Sequence, residues 1–200
     1  MQHSVIDKIR RTISHSKFGR VFFVSSFPKS DEEYVTKLLA TFEKEHLIVR
    51  IAKGVYVKAR KTRFGILYPS AFELATEIAK RDKAVIIPSG TTAANRLGFS
   101  TQVPMTTNFL TTGSSRKLTL GNRTVIFKHG APRNFAFKGA LMRDLTQALR
   151  SIGEKNITPE VEMQIGRLLT EMPETERATI EHDLLLTPVW MKNIIKRHIK

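Results

Sequence analysis

The chain has 200 residues, room for one domain or two small ones, and its 41% share of hydrophobic residues is ordinary for a protein that buries a core. No apolar run approaches the roughly 20 residues that a membrane helix needs, the amino terminus lacks the apolar stretch of a signal peptide, and the absence of cysteine rules out a disulfide framework, a thiol nucleophile and a Cys-based zinc site. A cytoplasmic protein outside the membrane is expected, and its net charge of +15 attracts polyanions. The charge is uneven: fourteen Lys and Arg face six Asp and Glu in residues 1–66, twelve face four in 67–150, and seven face eight in 151–200.

In chain order, Val5, Ile6, Ile9 and Ile13 behind Ser4 repeat at helical spacing, and residues 18–27, rich in Val and Phe, read as a short strand leading into a brief turn or helix before Pro28. Ser30 and Glu33 form the pattern of a capping box, with Asp31 and Glu32 at the positive end of the helix dipole. Val35, Leu38, Leu39 and Phe42 then make one apolar stripe, while Thr36, Lys37, Thr41 and Lys44 fall mostly on the opposite face. A hydrophobic strand follows, turns at Lys53-Gly54 and returns as Val55-Tyr56-Val57. The basic run Lys58-Ala-Arg-Lys-Thr-Arg63, followed by Gly65 and Pro69, reads as a boundary near residue 64.

Two helices followed by a small basic hairpin predict a winged helix-turn-helix, in which the helix after the turn enters the major groove and the hairpin rests on the neighbouring backbone. The expected partner is double-stranded DNA. Lys29, Ser30, Tyr34 and Lys37 are candidate groove contacts; Lys53, Lys58, Arg60, Lys61 and Arg63 are candidate phosphate contacts, with the wing and its basic tail ahead of the acid-tipped helix as the source of affinity.

Beyond residue 64 the pattern changes. Helices are expected around Phe72 to Ala79 and over residues 91–97, a buried strand over 84–87, a strand over 106–111, and a hairpin of residues 117–120 and 124–128 joined at Gly121-Asn122. Leu141, Leu145 and Leu149 mark a further helix, and Thr158-Pro159 opens another through Ile165 and Leu169. The expected class is α+β: a winged helix in 1–64, an α+β domain in 65–153 and a helical extension in 154–200.

The central stretch reads Pro88-Ser-Gly-Thr-Thr-Ala-Ala-Asn-Arg-Leu-Gly98, then Ser100-Thr-Gln-Val-Pro104 and Phe109-Leu-Thr-Thr-Gly-Ser-Ser-Arg116. With Gly54 and Tyr56 of the hairpin, it resembles the antitoxins of abortive-infection, type IV toxin–antitoxin systems of the AbiEi type, over about residues 1–150. The residues that carry the resemblance are Ser89, Gly90, Ala93, Asn95, Leu97, Gly98, Ser100, Thr101, Gln102, Pro104, Thr111, Gly113 and Arg116. The resemblance implies a regulator that binds inverted repeats in its own promoter. It also implies an antitoxin domain that counters a nucleotidyltransferase-like toxin without needing a stable complex with it. The acidic Asp31 to Glu33 and the last fifty residues depart from that pattern.

Physically, Ser89-Gly90-Thr91 at a strand-to-helix junction can expose N–H groups to an anion, with Arg96 or Arg116 adding charge. A tight turn with a serine cap is the simpler reading, and Asn95 and Gln102 are expected to tie loops to backbone. No enzyme is expected: His3, His15, His46, His129, His182 and His198 lack metal-ligand spacing, and Glu181-His182-Asp183 reads as a charged helix face. Neither a metal nor a cofactor is called for. The alternative is an RNA- or protein-binding module that neutralises a toxin through the basic middle domain.

Overall fold

The computed structural model describes residues 4–28 and 30–199. It is an α+β protein that separates into two compact units, Met1–Ile78 with Leu118–Thr124, and Ala79–Lys117 with Val125–Lys200. Among the described residues no helix is long and apolar enough to cross a membrane.

The first unit begins with α1 (Val5–Ser14), capped by the Ser4 hydroxyl, which accepts from the Asp7 N–H. β1 (Val21–Phe22) is the short strand expected within residues 18–27, and a brief helical turn follows it before Pro28, as expected. The Ser26 hydroxyl accepts the Phe23 N–H at 2.9 Å, so the backbone curls into one turn of 3-10 helix at Val24–Ser26 instead of extending. Next comes α2 (Glu32–Lys44), whose cap is Asp31 and not the expected Ser30: the Asp31 carboxylate accepts from the Tyr34 N–H at 2.8 Å. Starting the helix one residue later makes Glu33 its second residue, and Glu33 reaches forward to Lys37 at 2.7 Å instead of back to Ser30.

β2 (Val49–Ala52) and β3 (Val55–Val57) form the expected hairpin at Lys53-Gly54, where Gly54 has φ +70°. The sheet order is β1-β3-β2, all antiparallel, with Val21 and Val49 both opposite Val57. Being central, β3 is buried along its whole length, which is why Val-Tyr-Val does not alternate. Ile9 and Ile13 of α1 and Val35, Leu39 and Phe42 of α2 close the core over Phe22, Ile48 and Tyr56. Each such side chain contributes about 2 kcal/mol when fully withdrawn from water. A two-pronged Arg10–Glu45 ion pair, with the Arg10 guanidinium 4.8 Å above the Phe42 ring, fastens α1 to the end of α2.

The first unit does not end near residue 64, where the basic run reads as a boundary, but runs on to Ile78. β4 (Arg60–Thr62) pairs antiparallel with β5 (Gly65–Leu67), Thr62 opposite Gly65, and the unit continues into α3 (Ala71–Asp82). The chain turns back because Gly65 takes φ +112°, closed to other residues, while the Thr62 hydroxyl donates to the Gly65 carbonyl at 2.9 Å.

A four-stranded sheet of order β6-β7-β9-β8 follows: β6 (Ile86–Pro88), β7 (Thr106–Thr111), β8 (Arg116–Leu120) and β9 (Arg123–His129), with α4 (Thr91–Arg96) between β6 and β7 in the chain. Thr107, Phe109 and Thr111 alternate inward, and Phe109 stacks on Phe127 at 5.7 Å between centroids. α5 (Ala140–Ile152), α6 (Pro159–Thr170), α7 (Glu174–Arg177), α8 (Ile180–Leu186) and α9 (Val189–His198) follow. Residues 154–200 have no core of their own: Met142, Leu145 and Leu149 of α5 pack with Ile165, Leu169, Leu184 and Ile195 in one cluster.

Asp183, expected on a charged face, is fully buried. Its carboxylate accepts from the Lys138 and Gly139 N–H groups at 2.9 and 2.7 Å, and Glu176 accepts from Leu141 N–H at 2.8 Å. Two carboxylates from elsewhere in the chain thus take three N–H donors at the start of α5, which has no capping side chain of its own.

Candidate nucleic-acid interface

The β4–β5 ribbon carries the cations that sequence reasoning assigned to phosphate. Arg60 opposes Leu67 and Lys61 opposes Ile66. Because successive side chains of a strand point to opposite faces, Arg60 and Lys61 lie on opposite faces of the ribbon and Arg63 stands in its turn. All three are exposed. The Arg60 guanidinium rests 5.3 Å over the Phe18 ring and that of Arg63 is 4.6 Å over Phe64. Among the described residues no carboxylate lies within ion-pair distance of Lys53, Arg60, Lys61 or Arg63. Lys53 is exposed at the tip of the β2–β3 hairpin.

Lys58 belongs to the frame. Its ammonium donates to the carbonyls of Ile13 and Ser14 at 2.7 and 2.5 Å and so closes the carboxy-terminal end of α1. A cation already holding two helix-end carbonyls is not free for phosphate. On α2, Tyr34 is exposed and Lys37 is paired with Glu33. Ser30 lines a cleft of about 350 Å³ beside Lys8 and Thr12 of α1. Lys29 lies outside the described residues. The helix therefore presents a tyrosine and an ion-paired lysine behind Asp31, Glu32 and Glu33, whereas among the described residues Lys53, Arg60, Lys61 and Arg63 on the ribbons carry positive charge with no carboxylate against it.

The polar run of residues 88–116 is used inside its own unit. Gly90 takes φ +59° and ψ −139°, a conformation closed to other residues, to start α4. The Ser89 N–H donates to the Asn108 carbonyl at 3.0 Å, and the Thr92 hydroxyl accepts the Asn108 N–H at 2.8 Å. Thr91 is the exposed first residue of α4, a helix of only six residues.

The Asn95 amide donates to the carbonyls of Ser100 and Gln102 at 2.9 and 3.0 Å, which is the loop tie expected of it. Thr101 sits exposed in the loop so held. The Thr111 hydroxyl accepts from Gly113 N–H at 3.0 Å, and a Cβ on Gly113 would stand 3.1 Å from that of Ala84. Arg96 lies 4.0 Å from Asp144.

Arg116, expected to add charge beside Ser89, binds Asp82 at 2.6 Å instead, with Arg81 on the other oxygen at 2.8 Å. Burial works to raise the Asp82 carboxyl, but Arg81 and Arg116 outweigh it and hold it below the ordinary range. The two arginines expected to support an anion site at Ser89 to Thr91 thus stand beside carboxylates, Arg116 at Asp82 and Arg96 at Asp144.

Sequence reasoning missed Phe64. It is 86% exposed in the ribbon turn, and its N–H donates to the Thr62 hydroxyl at 3.2 Å. An aromatic before glycine in a basic run was the available signal.

The chain belongs to the family described as a family of unknown function, DUF6088, whose match covers residues 8–177. No curated protein matches the sequence. The crystal structure of the RV2827C protein from Mycobacterium tuberculosis is similar to this chain with a TM-score of 0.44 and 13% identity, covering 98% of this chain and 80% of that one.

Proposed function

We propose that the protein is a winged-helix transcriptional regulator that binds double-stranded DNA in its own promoter and acts as the antitoxin of a type IV, abortive-infection toxin–antitoxin pair. The order helix, strand, short helical turn, helix and β-hairpin in the first unit supports the winged-helix reading. The observation that carries DNA binding is the set of exposed cations on two ribbons of the first unit, Lys53 on one and Arg60, Lys61 and Arg63 on the other, with no carboxylate against them among the described residues. Such charges gain from a partner that supplies phosphates, because neutralising them releases condensed counterions. The antitoxin half of the reading rests on the resemblance of residues 88–116. Repression then follows from occupying the promoter, with no covalent chemistry.

Gel-shift titration tests the reading. The full chain is mixed with duplex from upstream of its own gene, a scrambled duplex of equal length, and an RNA hairpin. A shift confined to the upstream duplex and weakened by salt is the expected result. Equal binding to all three, or preference for RNA, would overturn it.

A further inference from the structure

Most exposed apolar side chains need no explanation, but Phe64 combines four features. It is 86% exposed, it stands at the outermost point of a two-stranded ribbon, the turn that presents it is fixed by Thr62 on both sides, and it is flanked by cations instead of acids. The register distributes those cations over both faces of the ribbon, Arg60 on one and Lys61 on the other. A ribbon lying flat on a phosphate surface would use one face only. Charge on both faces with an exposed aromatic at the tip fits a ribbon that enters a groove edge-on, where phosphates line both sides and base pairs stack at the bottom.

We propose that the β4–β5 ribbon is a wedge for duplex DNA: Phe64 inserts between two base pairs, unstacks them and kinks the helix, while Arg60, Lys61 and Arg63 hold the flanking phosphates. Apolar wedges of this kind act from the minor groove, and the unstacking they cause is offset by the additional surface that a bent duplex brings against the protein. Flexible pyrimidine–purine steps are the preferred entry points because they unstack most easily. The regulator would then choose its site partly by deformability, at positions where no side chain reads a base edge. This wedge rests on the DNA-binding reading above and adds a mechanical role to it.

The test uses the full chain and a set of duplexes of roughly 25 base pairs that tile the DNA upstream of its gene, with 2-aminopurine placed at successive TpA steps. Bound wild type should raise 2-aminopurine fluorescence at one step. Phe64→Ala should abolish that rise and lower affinity by roughly tenfold, the order expected from losing one base–aromatic contact, with the salt slope kept. Phe64→Leu, which retains an apolar wedge, should keep most of the rise. Binding by wild type with no rise at any step, or an equal rise with Phe64→Ala, would overturn the wedge and leave DNA binding standing. Failure of wild type to bind any of the duplexes would overturn both.

Discussion

Residues 1–66 and 67–150 hold the same surplus of eight positive charges, fourteen against six and twelve against four, yet the two regions dispose of them differently. In the second region arginines are built in: Arg116 binds Asp82, Arg143 binds Asp144, Arg133 donates to the Leu186 carbonyl and Arg150 to the Asn134 side chain. In the first, Lys58 and Arg10 are occupied in a similar way, but Lys53 and the three cations of the β4–β5 ribbon meet only aromatic rings or solvent. Net charge thus measures attraction to a polyanion, whereas partnering decides which residues can grip one. Substitutions inside the second unit should cost stability. Substitutions on the ribbon should cost binding and leave stability nearly untouched.

The largest effect is expected at Asp183. Replacing it with alanine strands the Lys138 and Gly139 N–H groups at the start of α5 and should destabilise the protein by about 3 kcal/mol in urea unfolding. A change below about 0.5 kcal/mol, the range of an ordinary surface substitution, would show that water replaces the carboxylate and that the network is dispensable. Asn95→Ala should cost about 1 kcal/mol, since the loop carbonyls it holds lie nearer to solvent.

A subtler check concerns Asp144. Burial raises its carboxyl pKa against the opposing pull of Arg143 and Arg96. A raised folded-state value means that the folded protein holds this proton more firmly than the unfolded chain. The contribution therefore favours folding in acid and is lost as pH rises from the unfolded value through the folded one. Asp144→Asn should gain on wild type at neutral pH and lose that gain as pH falls through the carboxylate range, read from unfolding free energies at several pH values. A pH-independent difference would deny the desolvation.

How much of this was legible in the sequence depended on whether the deciding interaction was local. Thr158-Pro159 opened α6 as expected, since a capping hydroxyl and a proline at the first helical position act within one turn. Residues 106–111 form a strand with those limits and alternating burial, and the turns at Lys53-Gly54 and Gly121-Asn122 stand where glycine's freedom puts them.

The misses came from competition or from distance. Ser30 and Asp31 both suit a cap, and only the fold decides between adjacent candidates. The basic run of residues 58–63 looks like a boundary because its pairing partner is the short Gly65-Ile66-Leu67 segment and the ribbon is exposed on both faces, so no hydrophobic alternation marks it. Asp183 was the least legible, since its role depends on backbone more than forty residues away. In the candidate interface, the cations were readable from composition, whereas the removal of Lys58 and the prominence of Phe64 needed the tertiary structure.

The central claim, that unpartnered ribbon cations grip phosphate, is tested most directly by the salt dependence of duplex binding. Wild type and a variant with Lys53, Arg60, Lys61 and Arg63 all changed to alanine are titrated with the upstream duplex over a range of salt. The slope of log affinity against log salt should fall in magnitude by about 3 to 4, close to one per lost phosphate contact, while thermal unfolding stays as in wild type. An unchanged slope in the folded variant would contradict the account.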